Sequence, residues 1–158
     1  MNRIGVGFDV HRFKTGRRLI LGGVEIPFEK ELTGHSDADV LAHAVCDAVL
    51  GAAGLGDIGT QFPDTDERYV GADSIELLRQ VVAMAAERGL TPKNVDTIII
   101  AERPKLAPYT DEIRKRLAGA LGLEEEFVNV KATTSEGLGF TGRGEGMAAH
   151  AVCTLGPE

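Results

Sequence analysis

Three residues in two separate segments have the types and the spacing of a cation site. Asp9 and His11 are two residues apart in a segment predicted to be a strand, so both side chains project from one face of it. His43 lies on a predicted helix. Two imidazoles and one carboxylate form a three-ligand set, which in catalytic zinc sites leaves a fourth position for water or substrate. Separately, each feature is typical of a solvated polar stripe, so the prediction depends on the three side chains meeting.

The predicted helix also supplies neighbours for His43. Asp39 and Asp47 lie four residues to either side of it, on the same helical stripe. A histidine that binds a metal usually donates its other ring N–H to a carboxylate or a carbonyl. We therefore expect Asp47 to orient the His43 ring.

A second candidate site is the glycine-rich segment that follows Thr133, Thr134, Ser135 and Glu136. It reads Gly-Leu-Gly-Phe-Thr-Gly-Arg-Gly-Glu-Gly over residues 137–146. Backbone N–H groups in such a loop can bind anions, threonine hydroxyls add donors, and the Glu136 carboxylate offers a hard oxygen ligand for Mg²⁺ or Mn²⁺. The alternative interpretation is a flexible turn without a ligand.

Several familiar chemistries are absent from the sequence. The glycine-rich segment lacks the Gly-Lys-Ser/Thr of a P-loop, and no Gly-x-Gly-x-x-Gly opens a helix after a strand, so ATPase and dehydrogenase functions are disfavoured. No nucleophile motif and no obvious general base is present. A substrate phosphate acting as nucleophile would already be an anion, and catalysis would then consist of positioning and charge neutralisation. Lys105 is either a contact to such a phosphate or an ordinary exposed lysine.

The composition narrows the class of protein further. The chain of 158 residues carries a net charge of −7, has no tryptophan and is 5% aromatic, which argues against nucleic-acid binding. An acidic protein that handles a phosphorylated molecule needs cations to offset its own field. Cys46 and Cys153 are expected to be buried, reduced thiols. The sequence offers neither a membrane-spanning run nor a signal peptide, so we expect a cytoplasmic protein, or a plastid protein if a transit peptide has been removed.

Periodicity and turn residues predict the elements that must position these side chains. Residues 3–10 and 18–26 are predicted strands joined by a hairpin at Thr15-Gly16, and residues 57–71 and 136–146 are expected to be loops. The other predictions are helices over 37–53, 73–89 and 110–121 and strands over 95–101, 127–133 and 147–155. The order predicts an α+β fold: a two-layer sandwich of a mixed β-sheet with helices on one face, in a single domain over residues 1–158.

Three long segments carry a more specific signal. They are GFDVHRF at 7–13, HSDADVLAHAVCDAVLGAAGLGDIGTQFPDTD at 35–66 and NVKATTSEGLGFTGRGEG at 129–146. Together they closely resemble the 2-C-methyl-D-erythritol 2,4-cyclodiphosphate synthase family over nearly the whole chain. The resemblance implies an intramolecular phosphoryl transfer in non-mevalonate isoprenoid synthesis. The 2-phosphate of 4-diphosphocytidyl-2-C-methyl-D-erythritol 2-phosphate attacks the β-phosphorus, which expels CMP and closes a cyclic diphosphate.

The resemblance also implies roles for individual residues. Zn²⁺ would be bound by the Asp9, His11 and His43 set and would polarise the β-phosphate, while Glu136 would help to place Mg²⁺ or Mn²⁺ between the α- and β-phosphates. His35 and Thr134 resemble the residues that stabilise the transition state in that family.

Substrate contacts implied by the resemblance fall into groups along the chain. Those at the metal are Asp9, Val10 and His11. Those around the methylerythritol part are His35, Ser36, Asp57, Ile58 and Gly59. A loop that closes over the substrate comprises Phe62, Pro63, Asp64, Thr65 and Asp66. The cytidine pocket comprises Ala101, Glu102, Arg103, Pro104, Lys105, Leu106 and Ala107. The phosphate end comprises Thr133, Thr134, Ser135, Glu136, Phe140 and Arg143. The sequence departs from the family pattern at Ser135, Gly137 and Ala107.

Members of this family are homotrimers with active sites between subunits, so one chain is expected to supply the zinc ligands and its neighbour the cytidine pocket. Two other functions remain open on the sequence. A non-catalytic metal- or nucleotide-binding module would keep the same ligands without turnover, and a metal-dependent phosphohydrolase would use a zinc-bound water as the nucleophile.

Overall fold

One layer of the protein is a five-stranded mixed sheet, and the computed structural model describes all residues, 1–158. Its strands are β1 (Arg3–Thr15), β4 (Lys30–Leu32), β5 (Leu90–Ile100), β6 (Val128–Thr133) and β7 (Gly146–Pro157), in the order β4-β1-β7-β5-β6. β5 and β6 are parallel, and the other neighbours are antiparallel. The predicted α+β class with a mixed sheet is confirmed.

The second layer consists of helices. They are α1 (Val40–Ala53), α2 (Ile58–Gln61), α3 (Ser74–Ala86), α4 (Thr110–Leu121) and α5 (Gly139–Gly142). α1 packs on β1 and β7, α3 on β5, and α4 on β6. Only His43, Asp47 and Gly51 of α1 are not buried. These three residues form one stripe of the helix, so the sequence correctly predicted a polar stripe at His43 and Asp47, whereas Asp39, just before the helix, is fully buried.

Two glycines let α1 lie directly on β1. A Cβ atom at Gly5 would overlap the carbonyl oxygen of Ala48, and one at Gly7 would overlap that of Ala44. Side chains of a strand alternate between its faces, so Gly5, Gly7, Asp9 and His11 share the face that α1 covers. The close approach of helix and strand therefore brings the helix surface down to the level of the two strand ligands.

The prediction of a hairpin at Thr15-Gly16 is wrong. β1 continues to Thr15 and pairs with β7 and β4, while residues 18–26 fold back on themselves as β2 (Leu19–Leu21) and β3 (Val24–Ile26). The turn between them is Gly22-Gly23, with φ of 56° and 74°, and paired positive-φ residues are typical of two-residue hairpins. Asp39 fixes this turn, because its carboxylate accepts the N–H groups of Gly22 and Gly23 at 2.9 and 2.7 Å.

Helix ends were easier to predict than short elements. α3 begins after Asp73, whose carboxylate accepts the N–H of Ile75 at 2.9 Å, and α4 ends at Gly122, which has a φ of 69°. The stretches predicted as loops or left unassigned contain β4, α2, α5 and three 3₁₀ turns at Glu67–Tyr69, Ala107–Tyr109 and Glu125–Phe127. Elements of three or four residues are too short to show a hydrophobic period.

The sheet face opposite the helices is apolar and uncovered in the single chain. Ile4, Val6 and Phe8 of β1 keep 71%, 65% and 49% of their surface exposed, and Val152 of β7 keeps 44%. Contiguous exposed apolar patches typically mark interaction sites. Cys46 and Cys153 are buried and unpaired, as predicted. None of the helices is long and apolar enough to cross a membrane.

Candidate metal centre

Asp9, His11 and His43 meet where β1 passes under α1. Oδ2 of Asp9 lies 2.8 Å from Nε2 of His11 and 3.1 Å from Nδ1 of His43, and the two ring nitrogens are 3.2 Å apart. Ligands at about 2.0–2.1 Å from a tetrahedral zinc ion lie roughly 3.3 Å from one another. The triangle is therefore almost of the size that one such ion needs. The predicted convergence of these three side chains is confirmed.

The electrostatics of the triad suit a cation. Burial raises the pKa of Asp9, but hydrogen bonds from His11 and His43 outweigh burial and bring the pKa down to about 2. For His11, burial lowers the pKa, but the hydrogen bond to Asp9 and its negative charge raise it above the ordinary value. The carboxylate is thus held ionised, and a proton on His11 stands where a divalent cation would bind.

The far nitrogen of each ring has a partner of its own. Nδ1 of His11 donates to the carbonyl oxygen of Thr33 at 2.8 Å, so Nε2 is the ring nitrogen that faces the triad. Nε2 of His43 is 2.8 Å from Oγ of Ser74 and 3.0 Å from Oγ of Ser36. Both rings are therefore oriented by groups outside the triad.

The prediction that Asp47 orients His43 is wrong. The Asp47 carboxylate instead accepts the N–H of Ile58 at 2.8 Å, at the first residue of α2. Sequence reasoning missed Ser74, which contacts His43 and begins α3. The sequence shows only that Ser74 directly follows the predicted N-cap Asp73. A cap of α3 carries no information on which residues of α1 it contacts.

Two contacts connect the residues predicted around the methylerythritol part to α1: Ser36 lies 3.0 Å from His43, and the N–H of Ile58 donates to Asp47. Nε2 of His35 is 3.2 Å from the carbonyl oxygen of Asp66, and the N–H of Gly71 donates to the carbonyl oxygen of His35 at 2.9 Å. The two contacts tie both ends of residues 66–71 to His35. Asp57 caps α2 by accepting the N–H of Thr60 at 2.8 Å, so Asp57, Ile58 and Gly59 form a single turn. Phe62 is buried, with its ring 5.2 Å from that of Tyr69.

A second group of predicted residues gathers at the ends of β5 and β6. Oε1 of Glu102 accepts the N–H of Ser135 at 3.2 Å and that of Gly137 at 3.0 Å. The amides of Gly142 and Arg143 donate to carbonyl groups within the loop. The prediction that the glycine amides bind an anion is thus wrong for these positions, because protein acceptors already take their N–H groups. Exposed side chains with donors remain for such a role at Thr133, Thr134, Arg143 and Lys105, and Glu136 and Phe140 are exposed beside them.

The two groups lie apart in one chain. Ile100 pairs with Ala148, and Ala148 pairs with Val10, so the ends of β5 and β6 share an end of the sheet with the triad. However, β7 separates β1 from β5, and β7 and β5 separate β1 from β6. At about 4.8 Å between neighbouring strands, these separations amount to roughly 10 Å and roughly 14 Å. Glu136 is not among the residues that converge with Asp9, His11 and His43. Within a single chain, the metal triad and the group at the ends of β5 and β6, which includes Glu102 and Glu136, are therefore two separate parts of the predicted site.

The fold and the triad define an α+β protein with a candidate three-ligand cation site, and comparison with known proteins places it in a family. Residues 2–156 match the YgbB family. The chain belongs to this family, that of the 2-C-methyl-D-erythritol 2,4-cyclodiphosphate synthases.

Three comparisons illustrate this membership. The 2-C-methyl-D-erythritol 2,4-cyclodiphosphate synthase of Alkaliphilus metalliredigens is 58% identical over 154 residues, which are 98% of this chain and 97% of that protein. The structure of the bifunctional IspDF from Campylobacter jejuni superposes with a TM-score of 0.96 at 46% identity and covers 100% of this chain and 43% of that one. An IspF from Plasmodium falciparum in complex with CDP gives a TM-score of 0.87 at 33% identity, covering 99% of this chain and 97% of that one.

Proposed function

We propose that this chain converts 4-diphosphocytidyl-2-C-methyl-D-erythritol 2-phosphate to 2-C-methyl-D-erythritol 2,4-cyclodiphosphate and CMP, as a metal-dependent enzyme. The observation that carries the proposal is the Asp9, His11 and His43 triad, with its three ligand atoms 2.8–3.2 Å apart, in a chain that belongs to the synthase family. Family membership supports the synthase over a non-catalytic binding module and over a phosphohydrolase. The match over residues 2–156 also supports a single domain.

In this reaction an oxygen of the 2-phosphate forms a bond to the β-phosphorus, and the bond from that phosphorus to the oxygen shared with the α-phosphate breaks. The electron pair leaves with CMP. The nucleophile is an anion from the start, so the chain needs no general base. Zn²⁺ at the triad and Mg²⁺ or Mn²⁺ at Glu136 would supply Lewis-acid polarisation and charge neutralisation when bound.

The chain's own residues would position the two phosphates. Asp9, His11 and His43 hold the cation site, and their rings are fixed by Thr33 and Ser74. His35 and Thr134 are proposed to donate hydrogen bonds to the phosphoryl oxygens on which charge develops. Residues 62–66, which are linked to His35 through Asp66, would close over the substrate and exclude water.

Substrate recognition would be divided between the two halves of the site. Ser36 and the Asp57–Gly59 turn would contact the methylerythritol part. Residues 101–107 would bind cytidine and residues 133–136, with Phe140 and Arg143, the diphosphate. The Plasmodium falciparum IspF, whose similarity covers 99% of this chain, is described as a CDP complex, which supports nucleotide binding by this chain.

We further propose that three chains assemble so that the metal triad of one faces the cytidine pocket of the next. Two observations support the assembly. The ends of β5 and β6 lie roughly 10–14 Å from β1 across the sheet of one chain, and Glu136 does not join the triad there, which leaves the triad of one chain free to face the pocket of the next. The open sheet face carries exposed Ile4, Val6 and Phe8, and an apolar face of this kind is typical of a surface that is buried in an oligomer.

Product analysis tests the reaction. Purified protein is incubated with the cytidine diphosphate substrate with and without a chelator, and ³¹P NMR distinguishes a cyclic diphosphate from an open one. We expect CMP and the cyclic product, lost on chelation and restored by Zn²⁺ and Mg²⁺. An open diphosphate would mean attack by water, and no CMP release would mean a binding module. Asp9→Ala should abolish turnover, whereas Asp111→Ala, which removes an exposed carboxylate of α4, should not.

A further inference from the structure

Ser74, to which the reaction assigns no role, lies between His43 and a carboxylate. Nε2 of His43 is 2.8 Å from Oγ of Ser74, and the Ser74 hydroxyl donates in turn to Oδ1 of Asp37. Ser74 is completely buried. The Asp37 carboxylate also accepts the backbone N–H of Ser74 at 3.0 Å and that of Asp39 at 3.1 Å. Asp37, Ser74 and His43 therefore form a fixed row of hydrogen bonds that ends at the triad.

A count of the protons gives this row a direction. A serine hydroxyl has one proton, and a carboxylate can only accept. Asp37 faces three donors, so the proton of Ser74 is committed to it. Toward His43, Oγ of Ser74 can then act only as an acceptor, and Nε2 must carry the ring proton. The nitrogen left for a cation is Nδ1, which lies 3.2 Å from Nε2 of His11 and, without a cation, shares a proton with Oδ2 of Asp9 at 3.1 Å.

We propose that Asp37 and Ser74 are positioning residues that hold His43 in its Nε2–H tautomer and thereby present the Nδ1 lone pair to the divalent cation. The proposal rests on the metal centre proposed above and deepens it. Neutral imidazole has two tautomers, and only the one with a free Nδ1 can bind a cation from this side. A carboxylate that acts through a hydroxyl here takes the place of the direct histidine–carboxylate contact common in metal sites.

Ser36 does not supply this direction. Its Oγ is 3.0 Å from the same ring nitrogen, but it accepts the N–H of Ala38 at 3.3 Å and contacts no carboxylate. Its hydroxyl can rotate to donate to Nε2 or to accept from it. The fixed acceptor behind Ser74 is what distinguishes the two serines.

Zinc affinity separates a positioning role from a merely structural one. Affinities of the full-length protein are measured at pH 8 by competition with a chromogenic chelator. Ser74→Ala removes the oxygen that accepts the N–H of His43. In Asp37→Asn, the new amide NH₂ faces an N–H or O–H donor in either orientation of the amide, because both carboxylate oxygens of Asp37 accept hydrogen bonds. Each should weaken zinc binding by about 10- to 100-fold. Thr97→Val is the matched control, because Thr97 is 1% exposed and its hydroxyl donates to the carbonyl oxygen of Asn129 on β6 at 2.9 Å, on the side of β5 away from β1. It should lose comparable stability without losing zinc affinity.

Affinities of Ser74→Ala and Asp37→Asn within about threefold of wild type, in variants that are as folded as Thr97→Val, would overturn the proposal. Should either variant fail to fold, the ring proton can be located directly. In zinc-free Asp9→Ala protein at pH 8, neither the carboxylate nor a cation acts on Nδ1 of His43, and ¹⁵N NMR should show the proton on Nε2. A proton on Nδ1 would refute the relay. Wild-type protein that binds no zinc while the tautomer is as expected would instead refute the metal centre.

Discussion

His11 has to release a proton before its Nε2 can bind a cation. Its pKa is raised because the contact with Asp9 outweighs the opposite effect of burial, whereas the pKa of Asp9 is lowered to about 2 and the carboxylate stays ionised above pH 4. Protonated His11 cannot be a ligand, so zinc affinity should fall as the pH drops through the raised pKa of His11, approaching about tenfold per pH unit below it. Chelator competition between pH 5.5 and 8.5 measures this slope. An affinity independent of pH would contradict the assignment of His11 as a ligand.

Glu136 is the residue proposed to serve the second cation, and it is not part of the triad. It adopts a φ of 57°, which is uncommon for a non-glycine residue, and its side chain is exposed. Glu136→Gln keeps the size of the side chain but removes the charge. We expect kcat to fall on the order of 100-fold, with partial recovery at high Mg²⁺ and no change in zinc affinity. Glu126→Gln, an exposed carboxylate on the preceding turn, is the control. A loss of zinc affinity in Glu136→Gln would mean that Glu136 serves the triad instead.

At the scale of elements, the contact between β1 and α1 brings Asp9, His11 and His43 together. Gly7→Ala would drive a methyl group into the carbonyl oxygen of Ala44 and push α1 away from β1. We expect a loss of about 1–3 kcal/mol in the free energy of unfolding together with weaker zinc binding, because His43 moves with the helix. Gly119→Ala is the control. Gly119 lies in α4 with nothing near its Cβ position, so the change should stabilise the helix by about 0.5–1 kcal/mol. Denaturant unfolding and zinc titration measure both effects, and a Gly7→Ala protein with wild-type zinc affinity would refute the coupling.

The same contact shows what sequence reasoning could and could not predict. The three ligands could be predicted from the sequence, because their residue types suit a cation, Asp9 and His11 share a strand face, and His43 lies on a helix. α4 was predicted with its observed limits because its apolar period and Gly122 are local signals. The length of β1 was underestimated because its second half pairs with β4 and β7, and strand pairing depends on residues far away in the chain. For the same reason the sequence predicted Asp47 as the partner of His43: Asp47 is close to His43 in the sequence, whereas Ser74 contacts His43 from α3.

At the scale of the whole molecule, the open sheet face should be the assembly surface. Val6 is 65% exposed and pairs across the sheet with Val152, which is 44% exposed. Val6→Lys would place a charge in the proposed interface, where an unpaired charge is strongly unfavourable. We expect a shift from trimer to monomer in analytical ultracentrifugation and a loss of turnover. Zinc affinity should persist, because all three ligands belong to one chain. Val70→Lys, at a similarly exposed site (63%) outside this face, should remain trimeric. A trimeric Val6→Lys protein would place the interface elsewhere.

If the two halves of each active site come from neighbouring chains, two inactive variants should restore activity to each other. Asp9→Ala damages the metal half, and Glu136→Gln damages the half at the ends of β5 and β6. In a mixed trimer, one interface combines the intact triad of a Glu136→Gln chain with the intact pocket of an Asp9→Ala chain. Random mixing of equal amounts in a cyclic trimer then regenerates about one quarter of the sites. Co-expression or refolding of the mixture, followed by the CMP release assay, measures the recovery. Activity that stays at the sum of the separate variants would mean that both halves are supplied by the same chain.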